Sequence, residues 1–203
     1  MDDIDELYNL YYYWYFSECN TKHDCKSLTS IDIYNQWINV WFAKGNQQIK
    51  IDKYLLQYES LIDKYITYQP TNLIETVALI ILYDQIPRNI FRGNPKAYLY
   101  DNISNKLTHS LLNEFNTLPF NIKLTLIICL VHSENITDHY LIQEKLPFIK
   151  KDVKCDSSIY QALYTITINH KDRIELFGRI PERNIILNRQ STENEIIYLD
   201  SIY

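Results

Sequence analysis

The sequence predicts an all-α protein, and three observations predict it. Apolar side chains recur at spacings of three and four along most of the chain. No stretch shows strand-like alternation bounded by turn residues. The chain has only three glycines and six prolines in 203 residues, and several of them stand where one periodic run stops and the next begins. The expectation is about eight helices joined by short loops, many as stacked antiparallel pairs, in one tetratricopeptide-like domain over residues 1–203.

The elements follow in order. Residues 2–16 carry Ile4, Leu7, Tyr8, Tyr11 and Tyr15 as a single apolar stripe. Residues 17–29 are polar and read as a loop. Ser30 is placed to cap a helix that Gly45 ends, with Trp37, Trp41 and Phe42 on its inner side. Residues 47–67 repeat the pattern through Ile51, Tyr54, Leu55, Tyr58, Leu61, Ile62 and Tyr65. Pro70 and Thr71 break that run, and Thr71, with Glu75 in a capping position, opens a helix through VALIILY to Asp84. Pro87 has no N–H to give and predicts a turn. Asn94 and Pro95 read as the cap and first residue of a helix to about Asn113. Pro119 opens a helix reaching His132, and a shorter one covers Thr137–Lys145. Asp156 caps a helix over 157–177, which Gly178 ends in a left-handed turn. Thr192 and Glu195 form a capping box for the last helix.

Composition bounds the function. The net charge of −5 offers no global basic field for nucleic acid, which is the third of three readings below. Eighteen tyrosines, with abundant Ile, Asn and Lys, point to an AT-rich source of the kind found in giant viruses or protists. The cysteines Cys19, Cys25, Cys129 and Cys155 show no metal-finger spacing. Cys19 and Cys25 flank His23, but no second ligand pair follows, so no metal and no cofactor is predicted. Free thiols fit a reducing compartment. The start, MDDIDEL, lacks a secretory signal, and the longest apolar run, Leu124–Val131, is too short for a membrane span. A cytoplasmic protein is expected, in the host cytoplasm if viral, with its oligomeric state left open.

The arginines carry the chemistry. All six (Arg88, Arg92, Arg173, Arg179, Arg183, Arg189) fall in two runs, YDQIPRNIFRGNP at Tyr83–Pro95 and HKDRIELFGRIPERNIILNRQST at His170–Thr192, while the fourteen lysines are scattered. A planar guanidinium binds carboxylate or phosphate in a bidentate way that an ammonium cannot match. Placement on turns fixed by Pro and Gly favours a binding site. The structural alternative is a set of internal ion pairs, for example with Asp84 or Glu134. A third segment, LVHSENITDHY at 130–140, puts His132 and Glu134 at the end of an apolar helix. His132 and His170 are acid/base candidates, whereas His109 and His139 read as solvated surface. A nucleophile at Ser133 lacks the elbow glycines. A metal set from His132, Glu134, His170 and Asp84 lacks spacing. An arginine-rich pocket with a histidine or carboxylate acid/base fits these residues best.

The same segments resemble the DUF924 family of uncharacterised bacterial-type proteins. VALIILYDQIPRNIFRGNPKAYLYD at Val77–Asp101 matches its central block, CLVHSEN at Cys129–Asn135 its second, and HKDRIELFGRIPERNIILNRQSTENE at His170–Glu195 its third. Near the start, LYYYWYF and WINVWF are similar to two further elements. The resemblance implies a single helical domain of stacked antiparallel pairs and implies no reaction. The motif residues it carries over are Asp84, Arg88, Asn89, Arg92, His132, Glu134, His170, Arg179, Arg183 and Asn184. Glu182 stands where the family usually has histidine, and Asn188 replaces a common glycine.

Three functional readings follow. In the first, the turns at 84–95, 130–135 and 178–189 meet in one pocket. There Arg88, Arg92, Arg179, Arg183 and Arg189, with Asp84, Asn89 and Asn184, hold a small anion or nucleotide. His132, His170 and Glu134 are its catalytic candidates for a hydrolase or transferase, the question of enzymatic activity remaining open. In the second, the chain is a non-enzymatic helical scaffold for a protein or peptide, its motifs serving as clasps. The third is nucleic-acid binding.

Overall fold

A computed structural model describes residues 3–16, 32, 35–152 and 157–202. Among them stand nine α-helices and no strand, as the sequence predicts. They are α1 (Asp3–Phe16), α2 (Gly45–Leu55), α3 (Glu59–Lys64), α4 (Leu73–Ile90), α5 (Asp101–Leu111), α6 (Phe120–Val131), α7 (Ile136–Asp152), α8 (Ser157–Phe177) and α9 (Glu193–Ile202). The chain forms two compact units, one of Met1–Arg92 with Lys96–Cys129 and one of Gly93–Pro95 with Leu130–Tyr203. No described helix is long and apolar enough to cross a membrane.

The first unit is built on α4, which packs against α1, α2, α3 and α5. Every residue from Glu75 to Pro87 is buried, so this largely apolar helix is covered on all sides, as a central helix must be. From α1, Leu7, Leu10, Tyr11, Trp14 and Tyr15 enter the core at spacings of three and four, and Tyr8 stays half-buried. Tyr11 and Tyr15 meet edge to face at 4.9 Å. The carbonyl of Trp14, near the end of α1 where the helix offers no partner, accepts from Gln36 Nε2 at 2.7 Å and Trp41 Nε1 at 2.9 Å.

Local elements differ from expectation in instructive places. The helix expected to reach Gly45 finishes as a π-turn at Trp37–Trp41, and Gly45, at φ +58°, lies at the start of α2. The run 47–67 divides at a 3₁₀ turn, Leu56–Tyr58, whose tighter winding brings the buried Leu55 and Tyr58 to the same side. The cap of α4 is Asn72 rather than Thr71. Its side chain accepts from Glu75 N at 3.0 Å, while the buried Glu75 carboxylate takes Thr71 N at 2.7 Å, Thr71 Oγ1 at 3.0 Å and Tyr68 OH at 3.1 Å. Burial opposes ionisation of Glu75, but these donors outweigh it and lower its pKa.

Pro87 does not turn the chain. It lies inside α4, where Arg88 Nη1 donates to Asp84 O at 2.7 Å and Asn89 Nδ2 to Gln85 O at 2.8 Å. Side chains thus serve the carbonyls around the proline, and the helix runs on to Ile90. Pro95 opens only a 3₁₀ turn, Pro95–Tyr98, and α5 begins at Asp101.

In the second unit α7 packs on α8. The former extends well beyond Lys145, through Pro147 to Asp152, because Ile142, Leu146 and Ile149 continue its buried face. His139 is not solvated surface: it is completely buried on α7, with Nε2 at 2.9 Å from Ser133 O. Gly178 ends α8 at φ +68° with its N–H on Ile174 O at 2.8 Å. The capping box of α9 forms as expected: Thr192 N donates to Glu195 Oε2 at 2.7 Å, and Glu195 N to Thr192 Oγ1 at 3.3 Å. The expected caps at Ser30 and Asp156, the Cys19–His23–Cys25 cluster and the side chains of Ile4 and Trp37 lie outside the described residues.

Candidate functional site

The first arginine run lies largely on the last turns of α4. Arg88 is mostly buried and spans two carboxylates. Its Nη1 is 3.0 Å from Asp84 Oδ1, and both terminal nitrogens grip Asp101 at 2.8 Å. Burial alone would discourage its charge, but Asp84 and Asp101 hold the guanidinium protonated beyond its ordinary range. Its fork also lies 5.6 Å from the centre of the Tyr98 ring. Asp84 is 1% exposed and accepts a further, short hydrogen bond from Gln85 Nε2. Arg92, more exposed, holds Asp52 at 3.1 Å through Nε and Nη2 and reaches Asn89 Oδ1 at 3.2 Å.

Beside this network the first unit has a shallow aromatic hollow, open to solvent, whose enclosed space is about that of one water molecule. It is lined by Trp14, Trp41, Phe42, Gln85, Thr125 and Ile128. The two indoles are nearly parallel with centres 6.0 Å apart, and Tyr15 meets Trp41 edge-on. Tyr15 OH and Thr125 Oγ1 are hydrogen-bonded at 2.6 Å. The polar lining is therefore Gln85 and Thr125, and Gln85 is tied through Asp84 to Arg88 and Asp101. Cys129 is buried, and desolvation and Asp84 push its thiol pKa well up, which leaves it an inert core group.

The second arginine run lies in the second unit. Arg179 grips Glu195 at 2.6 and 2.7 Å and donates to Gln190 O at 2.8 Å. Arg179 and its hydrogen bonds draw the Glu195 carboxyl down to about 2. Arg189 binds Glu134 at 2.6 and 3.0 Å and Ile180 O at 3.0 Å. Glu134 also accepts from Ile180 N at 2.9 Å and lies 3.9 Å from the buried Arg183. Burial works against its charge, yet these donors lower its pKa. Arg173 reaches Tyr198 OH at 2.7 Å and Glu182 at 3.1 Å. Glu182, at the position where histidine is usual, thus serves as an acceptor for Arg173 and for Tyr198 OH at 3.2 Å. Asn184 is fully buried and donates to Ser191 Oγ at 3.0 Å. Asn188 takes φ +52°, a left-handed conformation that Asn tolerates better than most residues where glycine is common.

His132 and His170 are both half-buried. The His170 ring places Nδ1 2.9 Å from Ile166 O, which assigns that nitrogen the proton. Burial, opposed by this bond and reinforced by His132, Arg173 and Arg183, lowers His170 to about 3. It is a neutral imidazole with little basicity at neutral pH. No group of three or more metal-ligating side chains occurs among the described residues.

Within the second unit, Glu134 and the turn at 178–189 come together through Ile180, Arg183 and Arg189. Asp84, Arg88, Asn89 and Arg92 belong to the first unit. Sequence reasoning missed Asp101, Asp52 and Glu195 as the arginines' partners and Gln85, Trp14 and Trp41 as lining of a hollow. Gln85 and Asp101, both inside the Val77–Asp101 block, and Glu195, read as a capping residue, are the ones with a signal in the sequence.

A family model described as a bacterial protein of unknown function, DUF924, matches residues 12–202. A solved structure, that of the protein of unknown function ATU0120 from Agrobacterium tumefaciens, is similar at 19% identity, over 98% of this chain and 99% of that one, with a TM-score of 0.59. At that identity the likeness concerns the fold. No curated protein matches the chain.

Proposed function

Because this chain belongs to the DUF924 family of bacterial proteins of unknown function, and the family brings no reaction with it, we propose from the geometry that it is a helical binding protein without catalytic activity. Its partner is a peptide or protein that lays an apolar side chain over the aromatic hollow of the first unit. One observation carries this reading: each of the six arginines stands within ion-pair distance of a carboxylate. At Arg88, Arg92, Arg179 and Arg189 an incoming phosphate or carboxylate would have to displace a bidentate internal partner, and the buried Asp84 or Glu195 would then lose its counter-charge. His170 adds to it, since a ring held near 3 makes a poor general base. The Arg88 and Arg179 clasps thereby act as fold supports, and the hollow offers a partner an aromatic surface with one oriented amide.

The test is selection from a displayed peptide library. Peptides retained by the wild type and lost with Phe42→Ser or Trp41→Ala, but retained with Arg92→Ala, support the reading. A library that yields none, or peptides indifferent to Phe42 and Trp41, refutes it.

The anion-pocket reading draws on a different observation in the second unit. Arg189 Nε, Asn184 Oδ1 and Glu182 Oε2 are buried with no hydrogen-bond partner among the described residues, which marks a polar interior able to accept further partners. Turnover of a small phosphate or carboxylate ester, abolished by Arg189→Ala, would establish it in place of the scaffold.

A further inference from the structure

Two helices present apolar side chains outward, and their rims carry opposite charge. On α2 and the turn after it, Ile49 and Leu56 are 65% and 48% exposed. They lie seven residues apart, two turns along one side. Lys50 and Lys53 flank them, with Lys44 at the cap, all exposed. The one aspartate of α2, Asp52, is held by Arg92. This side is basic on a chain whose net charge is −5.

On α9 the pattern is inverted. Its fully buried residue is a glutamate, Glu195, held by Arg179, while Ile196 and Ile197 are 50% and 64% exposed. Glu193 and Asp200 lie three and four residues either side of that isoleucine pair, hence on the same face, and both are exposed. No lysine or arginine occurs in α9. None of Lys50, Lys53, Glu193 and Asp200 has an ion-pair partner among the described residues.

We propose that the chain associates with a second copy of itself, the α2 face of one copy seating on the α9 face of the next. The isoleucines and Leu56 form the dry centre, and Lys50 and Lys53 meet Glu193 and Asp200 at the rim. Charge complementarity selects this pairing. Two α9 faces would set acid against acid, and two α2 faces base against base. The contact is heterologous, so a pair leaves the α9 face of one copy and the α2 face of the other free for further copies.

Sedimentation velocity on the full chain tests this over a range of protein and salt concentrations. The wild type should form species heavier than a monomer that dissociate as salt rises, because rim charges are screened. Lys50→Glu with Lys53→Glu, or Glu193→Lys with Asp200→Lys, should each weaken association by roughly tenfold or more, about 1.4 kcal/mol. Mixing the two charge-reversed proteins should restore it. Ile196→Ser with Ile197→Ser should abolish it, with circular dichroism confirming that each variant is folded. A wild type that stays monomeric throughout overturns the proposal. So does association indifferent to these substitutions, or charge-reversed variants that fail to recombine. An acidic peptide that binds at Lys50 and Lys53 in the absence of self-association would overturn the second copy as occupant.

Discussion

At the scale of single residues, the arginines show why a motif can be read while its meaning stays open. Their confinement to two runs is plain in the sequence, and guanidinium chemistry narrows the partners to carboxylate or phosphate. Which one it is depends on whether a carboxylate arrives from elsewhere in the fold. Asp101 lies thirteen residues from Arg88 and Asp52 forty from Arg92, and no local pattern pairs either with its arginine. Arg88→Ala would leave Asp84, 1% exposed, without its counter-ion, and should cost about 3–5 kcal/mol, measured by urea unfolding. A loss below about 1 kcal/mol would show the pair to be peripheral. Gly178 is simpler. A methyl group at its Cα would meet nothing within 4 Å, so Gly178→Ala tests the left-handed turn alone. About 1–2 kcal/mol of destabilisation is expected, and none would mean that the turn relaxes.

At the scale of elements, helices and their ends were legible wherever the signal is chemical and local. The Thr192–Glu195 box and the Gly178 stop are formed by residues within a few positions of one another, and the sequence alone locates them. Pro87 misled because its effect depends on who serves the carbonyls nearby. Arg88 and Asn89 do so around Pro87, and Pro147 is carried by a buried face that continues past it. The cap of α4 moved by one residue, from Thr71 to Asn72, since both can accept and the choice rests on where Glu75 is drawn. Asn72→Ala should therefore destabilise by about 1 kcal/mol, whereas Thr71→Ala should keep the bond to Glu75 N intact and lose only a hydroxyl donor to its carboxylate. Thermal unfolding of the two variants compares them directly.

At the scale of the whole molecule, the all-α class was written in periodicity. The aromatic hollow was not, because Trp14, Trp41 and Thr125 come from three separate segments. Charge also acts at this scale, and its pH dependence has a definite sign. His170 is held at about 3, below its ordinary 6.5, so the unfolded chain takes its proton first. Stability present above about pH 6.5 is lost as pH falls towards 3. Glu195, lowered from 4.5 to about 2 by Arg179, contributes stability above about pH 4.5 that is lost as pH falls towards 2. Urea midpoints measured against pH should decline from about 6.5 downwards. His170→Gln should flatten the upper part of that decline and Glu195→Gln the lower part, and curves parallel to the wild type would contradict both assignments. The central claim, that the arginines clasp the fold and do not cradle a ligand, is tested most directly by thermal shift with phosphate, nucleotides, sugar phosphates and carboxylates, on wild type and Arg88→Ala. A bound ligand at about a hundred times its dissociation constant would add roughly 2.7 kcal/mol, a rise of several degrees at this chain length. The account predicts no such rise for either protein, with Arg88→Ala melting earlier; an anion that stabilises the wild type and loses its effect in Arg88→Ala would contradict it.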